Sequence, residues 1–283
     1  MKRRILGFIR IIRPINGFMM SLAVFIGAWL TIKDPLSPTV LHKILLGAVT
    51  AFTLTGASMA INDYCDYEID KINEPHRPLP SGIIKLKESL ILAASLILIG
   101  LTAALFTNLR TALLALISII VSVTYAVKGK RTGLPGNFLV SFCVAVPFIY
   151  GGLIANEEFD FKLLVFSLMA FLSNTGREVT KGIVDVSGDK AQKMKTIAVV
   201  YGEKAAAILA SIFFLSSVLL SFAPPMMNIV SAWFIPFVIL ADTGFILSSA
   251  ALIQRPTRQN AKKIKNLILI WMMLGMIAFL AGK

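Results

Sequence analysis

Apolar residues run down this chain in long blocks, and the polar residues collect between them. Nine blocks come close to the roughly 20 residues that a helix needs to cross a bilayer. They are 15–32, 40–61, 88–107, 110–127, 135–155, 161–178, 204–222, 229–252 and 266–281. The shortest break is Thr107-Asn108-Leu109-Arg110. The pattern predicts an all-α fold, a polytopic membrane bundle of nine transmembrane helices, read as a single domain over 1–283. Small residues such as Gly47, Gly56, Gly151 and Gly152 are expected at helix–helix contacts.

Composition agrees with the pattern. The chain is 57% hydrophobic and 15% charged, whereas a soluble domain carries about 25% charged residues. The net charge of +13 would suggest nucleic acid in a soluble protein. Here the basic residues lie between apolar blocks, so they point to orientation in a membrane, and no nucleic-acid partner is expected. With nine spans and the N-terminus inside, 23 of the 28 Lys and Arg residues fall on one side. That asymmetry predicts a multi-pass protein of the cell membrane with its N-terminus and its long polar loops cytoplasmic. Any chemistry is therefore expected on the cytoplasmic face. The basic start MKRRILGFIRIIRP reads as an interfacial entry to the first span, not a removed signal. Cys65 and Cys143 sit in unlike surroundings and suggest neither a disulfide nor a metal site.

Carboxylates crowd where the second block ends, in AINDYCDYEIDKINEPHRPLPSG (60–82). Asp63, Asp66 and Asp70 stand at i, i+3, i+7, and Asn62, Asp66 and Asp70 at i, i+4, i+8. On a continuing helix both sets share a face. A divalent cation would relieve their repulsion, and oxygen-only donors suit Mg²⁺. After the sixth block, Arg177, Lys181, Asp185 and Asp189 form a second i, i+4 ladder, with Glu178 near the same face. The two acid pairs are offset by 119 residues, and Gly82 and Gly202 by 120, a weak internal repeat. One such ladder alone is explained by surface salt bridges worth a few tenths of a kcal/mol per pair. Two at equivalent span ends, with basic neighbours, point to a polyanion held through metal: acids hold Mg²⁺, Mg²⁺ holds phosphate, and Lys or Arg holds the remaining charge.

The spacing Asn62-Asp63-x-x-Asp66-x-x-x-Asp70 with Asp185-x-x-x-Asp189 resembles the paired aspartate motifs of the UbiA superfamily of intramembrane prenyltransferases. The similarity runs over nearly the whole chain. It implies transfer of a prenyl group from an isoprenyl diphosphate to an acceptor, with Mg²⁺ held by Asp63, Asp66, Asp70, Asp185 and Asp189. It implies diphosphate contacts for the Tyr125-x-x-Lys128 element. Arg77, Lys181, Arg177, Glu178 and Asn62 are further candidates, and Arg13 and Asn16 are candidates to reach the site from the first span. Gly182 departs from the pattern, because many relatives carry Asp there; Glu178 is the nearest substitute. Asp242, in the eighth block, is expected to be structural. The run IDxINEPxRPxPSG is most like two branches of the superfamily. One, archaeal, moves a geranylgeranyl group onto the glycerol hydroxyl of geranylgeranylglyceryl phosphate, a lipid-phosphate acceptor; the other makes chlorophyll. The archaeal branch is the favoured expectation. Aromatic acceptors are the alternative, and a transporter is the reading of a different class.

Overall fold

The core of a bilayer offers no water to a backbone N–H or C=O, so a spanning segment must close its own hydrogen bonds, and helices do so. The protein is described by a computed structural model covering residues 2–32, 38–156 and 159–283. Among these there is no strand. In chain order the helices are α1 (Lys2–Ile12), α2 (Pro14–Thr31), α3 (Pro38–Cys65), α4 (Tyr67–Asn73), α5 (Leu86–Leu105), α6 (Leu109–Val127) and α7 (Leu134–Asn156). They continue with α8 (Lys162–Ala191), α9 (Ile197–Tyr201), α10 (Glu203–Leu220), α11 (Ala223–Met226), α12 (Phe234–Gln254) and α13 (Arg258–Ala281).

Nine of these helices have 18 residues or more, one for each apolar block. Eight stretches of the described residues are long and apolar enough to cross a membrane. The ninth long helix, α8, falls short because its second half carries Arg177, Glu178 and Lys181. The predicted block ended at 178, yet the helix runs to Ala191. Charged residues at i, i+3 and i+4 support one another there, so loss of apolarity does not end the helix.

The chain divides into two compact units. The first comprises Met1–Gly129 and Tyr150–Phe159. At its centre α3 packs against α1, α2, α5 and α6. Backbones come close because small residues sit at the contacts. A Cβ on Gly151 would lie 2.0 Å from the Val24 carbonyl oxygen, and one on Gly47 would lie 2.4 Å from Ile154 Cδ1. Buried hydroxyls tie neighbouring helices: Thr50 donates to the Gly100 carbonyl at 3.2 Å, and Ser89 to the Ala60 carbonyl at 3.1 Å.

The second unit comprises Lys130–Ile149 and Asp160–Lys283. Here α8 packs on α10 and α13, α10 on α12, and α12 on α13. Its core holds Ile183, Ala206, Ala207, Phe214, Phe245 and Ile268. Ser217 on α10 donates to the Met169 carbonyl on α8 at 3.1 Å. Asp242 has a partner that the sequence alone does not reveal, the Ser221 hydroxyl at 2.7 Å. On both units large apolar side chains such as Leu98, Phe106 and Leu219 are exposed, as suits a protein whose solvent is lipid.

Candidate functional site

The two acid-bearing helices are the longest, at 28 residues for α3 and 30 for α8. At 1.5 Å per residue they run about 42 and 45 Å, against a hydrocarbon core of about 30 Å. Each has turns to spare, and the acids sit in those last turns.

The first acidic end belongs to the first unit. The chain turns at Asp66 (φ −87, ψ 2), between α3 and α4, instead of continuing as one helix. The turn keeps the helical ladder: Asp66 N–H donates to the Asn62 carbonyl at 2.9 Å, and Asp70 N–H to the Asp66 carbonyl at 2.8 Å. Asn62, Asp63, Asp66 and Asp70 are all buried, at 7, 4, 3 and 4% exposure. Buried carboxylates need a compensating charge, and two arginines supply it. Arg13 donates to Asp63 Oδ1 at 2.5 Å, and Arg77 Nη1 lies 2.6 Å from Asp70 Oδ2 and 3.6 Å from Asp63 Oδ1.

The backbone accommodates both arginines. Pro14 opens α2 and disfavours the right-handed α region for the residue before it. Arg13 adopts φ 48, ψ 71 in the left-handed region, at a cost of roughly 1–2 kcal/mol. That turn aims its guanidinium at Asp63 and Met59 Sδ. Asn16 Nδ2 lies 3.9 Å from the same sulfur. Arg77 sits in a loop pinned by buried Leu79 and Ile84 and closed by the Ile84 N–H to Pro78 carbonyl bond. Burial pushes the Asp70 carboxyl up to about 6, with Asp66 and Asp63 raising it further and Arg77 opposing them.

The donor set fits Mg²⁺ in kind. Asn62 Oδ1 is a buried acceptor with no hydrogen-bond donor; with the buried Asp63, Asp66 and Asp70 on the same stretch of chain, the acceptors on offer are oxygens. Among the described residues no three His, Cys, Asp or Glu side chains converge into a ready-made cage. In the same unit Tyr125 is buried near the end of α6, while Lys128, the residue that caps this helix, is exposed.

The second acidic end belongs to the second unit. Glu178 is buried between Arg177 Nη1 at 3.2 Å and Lys181 Nζ at 3.6 Å. Lys130 and Lys265 add their positive field at Glu178, and Lys265 also faces Asp185. Asp189 is buried and Asp185 half-buried. Sequence reasoning missed Lys265, because it counts there among the orienting charges after the eighth block; its register on α13 becomes visible only once α13 packs on α8. A Cβ on Gly182 would meet nothing closer than Thr196 Cβ at 3.7 Å, so space does not demand glycine there.

Residues 20–277 match the UbiA prenyltransferase family. The digeranylgeranylglyceryl phosphate synthase of Methanosphaera stadtmanae is 33% identical over 276 residues, covering 97% of this chain and 98% of that protein. A solved structure of a digeranylgeranylglyceryl phosphate synthase superposes with a TM-score of 0.75 at 30% identity, over 100% of this chain and 99% of its own. A UbiA homolog from Archaeoglobus fulgidus bound to GPP and Mg²⁺ matches with a TM-score of 0.68 over 96% of this chain and 99% of its own; at 16% identity that likeness is one of fold.

Proposed function

This multi-pass membrane protein belongs to the UbiA prenyltransferase family, and from that premise we propose that it transfers a geranylgeranyl group from geranylgeranyl diphosphate to the glycerol hydroxyl of geranylgeranylglyceryl phosphate. The product carries the second ether bond of an archaeal membrane lipid. The observation that carries the reading is the first acidic end: three buried aspartates and a donor-less Asn62 oxygen, held by Arg13 and Arg77. The choice of acceptor rests on the likeness to digeranylgeranylglyceryl phosphate synthases over nearly the full length of both chains.

Asp63, Asp66, Asp70, Asp185 and Asp189 would hold Mg²⁺, which, when bound, neutralises the charge that builds on a departing diphosphate. The whole chain works as one catalytic domain. Arg77, Lys128 and Lys181 bind the remaining phosphate charge. Arg13, Asn16, Asn62 and Tyr125 position the carboxylates and the substrate, and Arg177 and Glu178 hold Lys181 in place. The donor's C1–O bond breaks with its electron pair on the diphosphate, and the acceptor oxygen bonds to C1 as its hydroxyl proton passes to the released diphosphate. Apolar surroundings keep water from the allylic cation. With 23 of 28 basic residues on one side, that side faces the cytoplasm and the reaction takes place there.

The test is substitution at each acidic end. D66A and D185A each lower kcat by about 10³-fold or more while the protein stays helical and monodisperse in detergent. Near-normal turnover in either variant contradicts the scheme.

A further inference from the structure

The N-terminal helix α1 and the loop after α4 line an open pocket of about 330 Å³ within the first unit. Its polar wall is Arg3, Arg10, His76 and Ser81, and its apolar wall is Leu6 and Ile83. At Gly7 the helix lies close against the loop: a Cβ there would come within 3.0 Å of the Ile83 side chain and 3.1 Å of the Ile84 side chain. Two contacts fix the helix. Ile11 is buried with Leu79 and Ile84, and Arg4 is ion-paired to Glu88 on α5. Neither Arg3 nor Arg10 is in an ion pair among the described residues. The pocket therefore has two uncommitted guanidinium groups, an imidazole and a hydroxyl beside an apolar surface.

Its position limits what it serves. On α1 the exposed Ile5 and Ile9, at i and i+4, share one face, and the exposed Arg3 and Arg10, at i and i+7, share another, the pattern of a helix lying in the plane of the headgroups. Arg77 follows His76 directly and is ion-paired to Asp63 and Asp70. The same loop thus supplies the carboxylate-bound arginine and two residues of the basic pocket's wall, His76 and Ser81.

We propose that this pocket binds the phosphate head of the acceptor lipid, with Arg3 and Arg10 on the phosphate oxygens and Leu6 and Ile83 against the start of its chain. The proposal rests on the functional reading above and deepens it: the carboxylates serve the donor's diphosphate, and the α1 pocket serves the acceptor's single phosphate. A phosphate monoester carries one to two negative charges near pH 7 and suits a pair of forked guanidinium donors.

The test compares the full-length wild type with R3Q/R10Q and, separately, H76A, with acceptor and donor varied in turn. In R3Q/R10Q the acceptor KM rises about tenfold, while the donor KM and kcat stay within about twofold; H76A shifts the acceptor KM in the same direction. Unchanged acceptor KM in both variants overturns the inference and leaves the proposed reaction standing. If the wild type does not use geranylgeranylglyceryl phosphate at all, the proposed reaction fails, and native mass spectrometry with that lipid alone reads the pocket. Retention by wild type and loss in R3Q/R10Q supports it; equal retention overturns it.

Discussion

Asp70 carries the balance of forces at the first acidic end. Burial raises its carboxyl to about 6, and the Arg77 guanidinium holds it from rising higher. The folded protein therefore keeps this proton to higher pH than the unfolded chain, whose carboxyl titrates near 3.8. In the metal-free protein the contribution to stability is full below 3.8 and is lost as pH rises through about 6. Metal binding has the opposite sign, because a protonated carboxylate is a poor ligand. The Mg²⁺ concentration for half-maximal activity should rise about tenfold per pH unit below about 6. A Mg²⁺ titration at several pH values checks this, and a requirement independent of pH contradicts it. R77Q removes the opposing charge, so the same break should move to higher pH, with a donor KM raised by about tenfold or more. The acids, their spacing and the candidacy of Arg13 and Arg77 are legible in the sequence as residue types. Which oxygen each arginine takes is not, because that depends on a left-handed Arg13 and on a loop pinned by buried Leu79 and Ile84.

At the scale of the element, α8 decides how the second acidic end is held. Glu178 is the buried anion among Arg177, Lys181, Lys130 and Lys265. Removing it leaves cations facing one another. E178A should lower the thermal midpoint in detergent by several degrees, equivalent to about 2–4 kcal/mol. E178A/K265A should recover part of that loss, since the uncompensated charge goes as well; additive losses contradict the pairing. Gly182 is the counter-case. Its neighbour Thr196 leaves room for a Cβ, so G182A should keep kcat within about twofold and gain up to about 1 kcal/mol from helix propensity. The apolar blocks place most of the long helices to within a few residues. The extension of α8 to Ala191 and the turn at Asp66 are not in that pattern. Both depend on polar contacts made after the chain has folded, which hydropathy does not register. The neighbours of Lys265 depend likewise on the register between α8 and α13.

For the whole molecule, the bilayer makes the sequence unusually readable. Spanning segments must be helical and apolar, so nine blocks become nine long helices among the described residues. The acidic ends stand out because charge is rare elsewhere in those helices. Acceptor chemistry is less readable, because a head-group pocket draws on distant stretches of chain, here α1 and residues 76–83. Steric fit also shows only in three dimensions. A G151L substitution should abolish folded protein in the membrane, because any Cβ there collides with the Val24 backbone; normal expression and a normal thermal midpoint contradict that packing. The most direct test of the central claim is transfer by the purified protein with geranylgeranyl diphosphate, Mg²⁺ and a panel of acceptors. The account predicts diphosphate release and an ether product with geranylgeranylglyceryl phosphate and none with 4-hydroxybenzoate or a naphthoate. Turnover on an aromatic acceptor, with geranylgeranylglyceryl phosphate untouched, contradicts it.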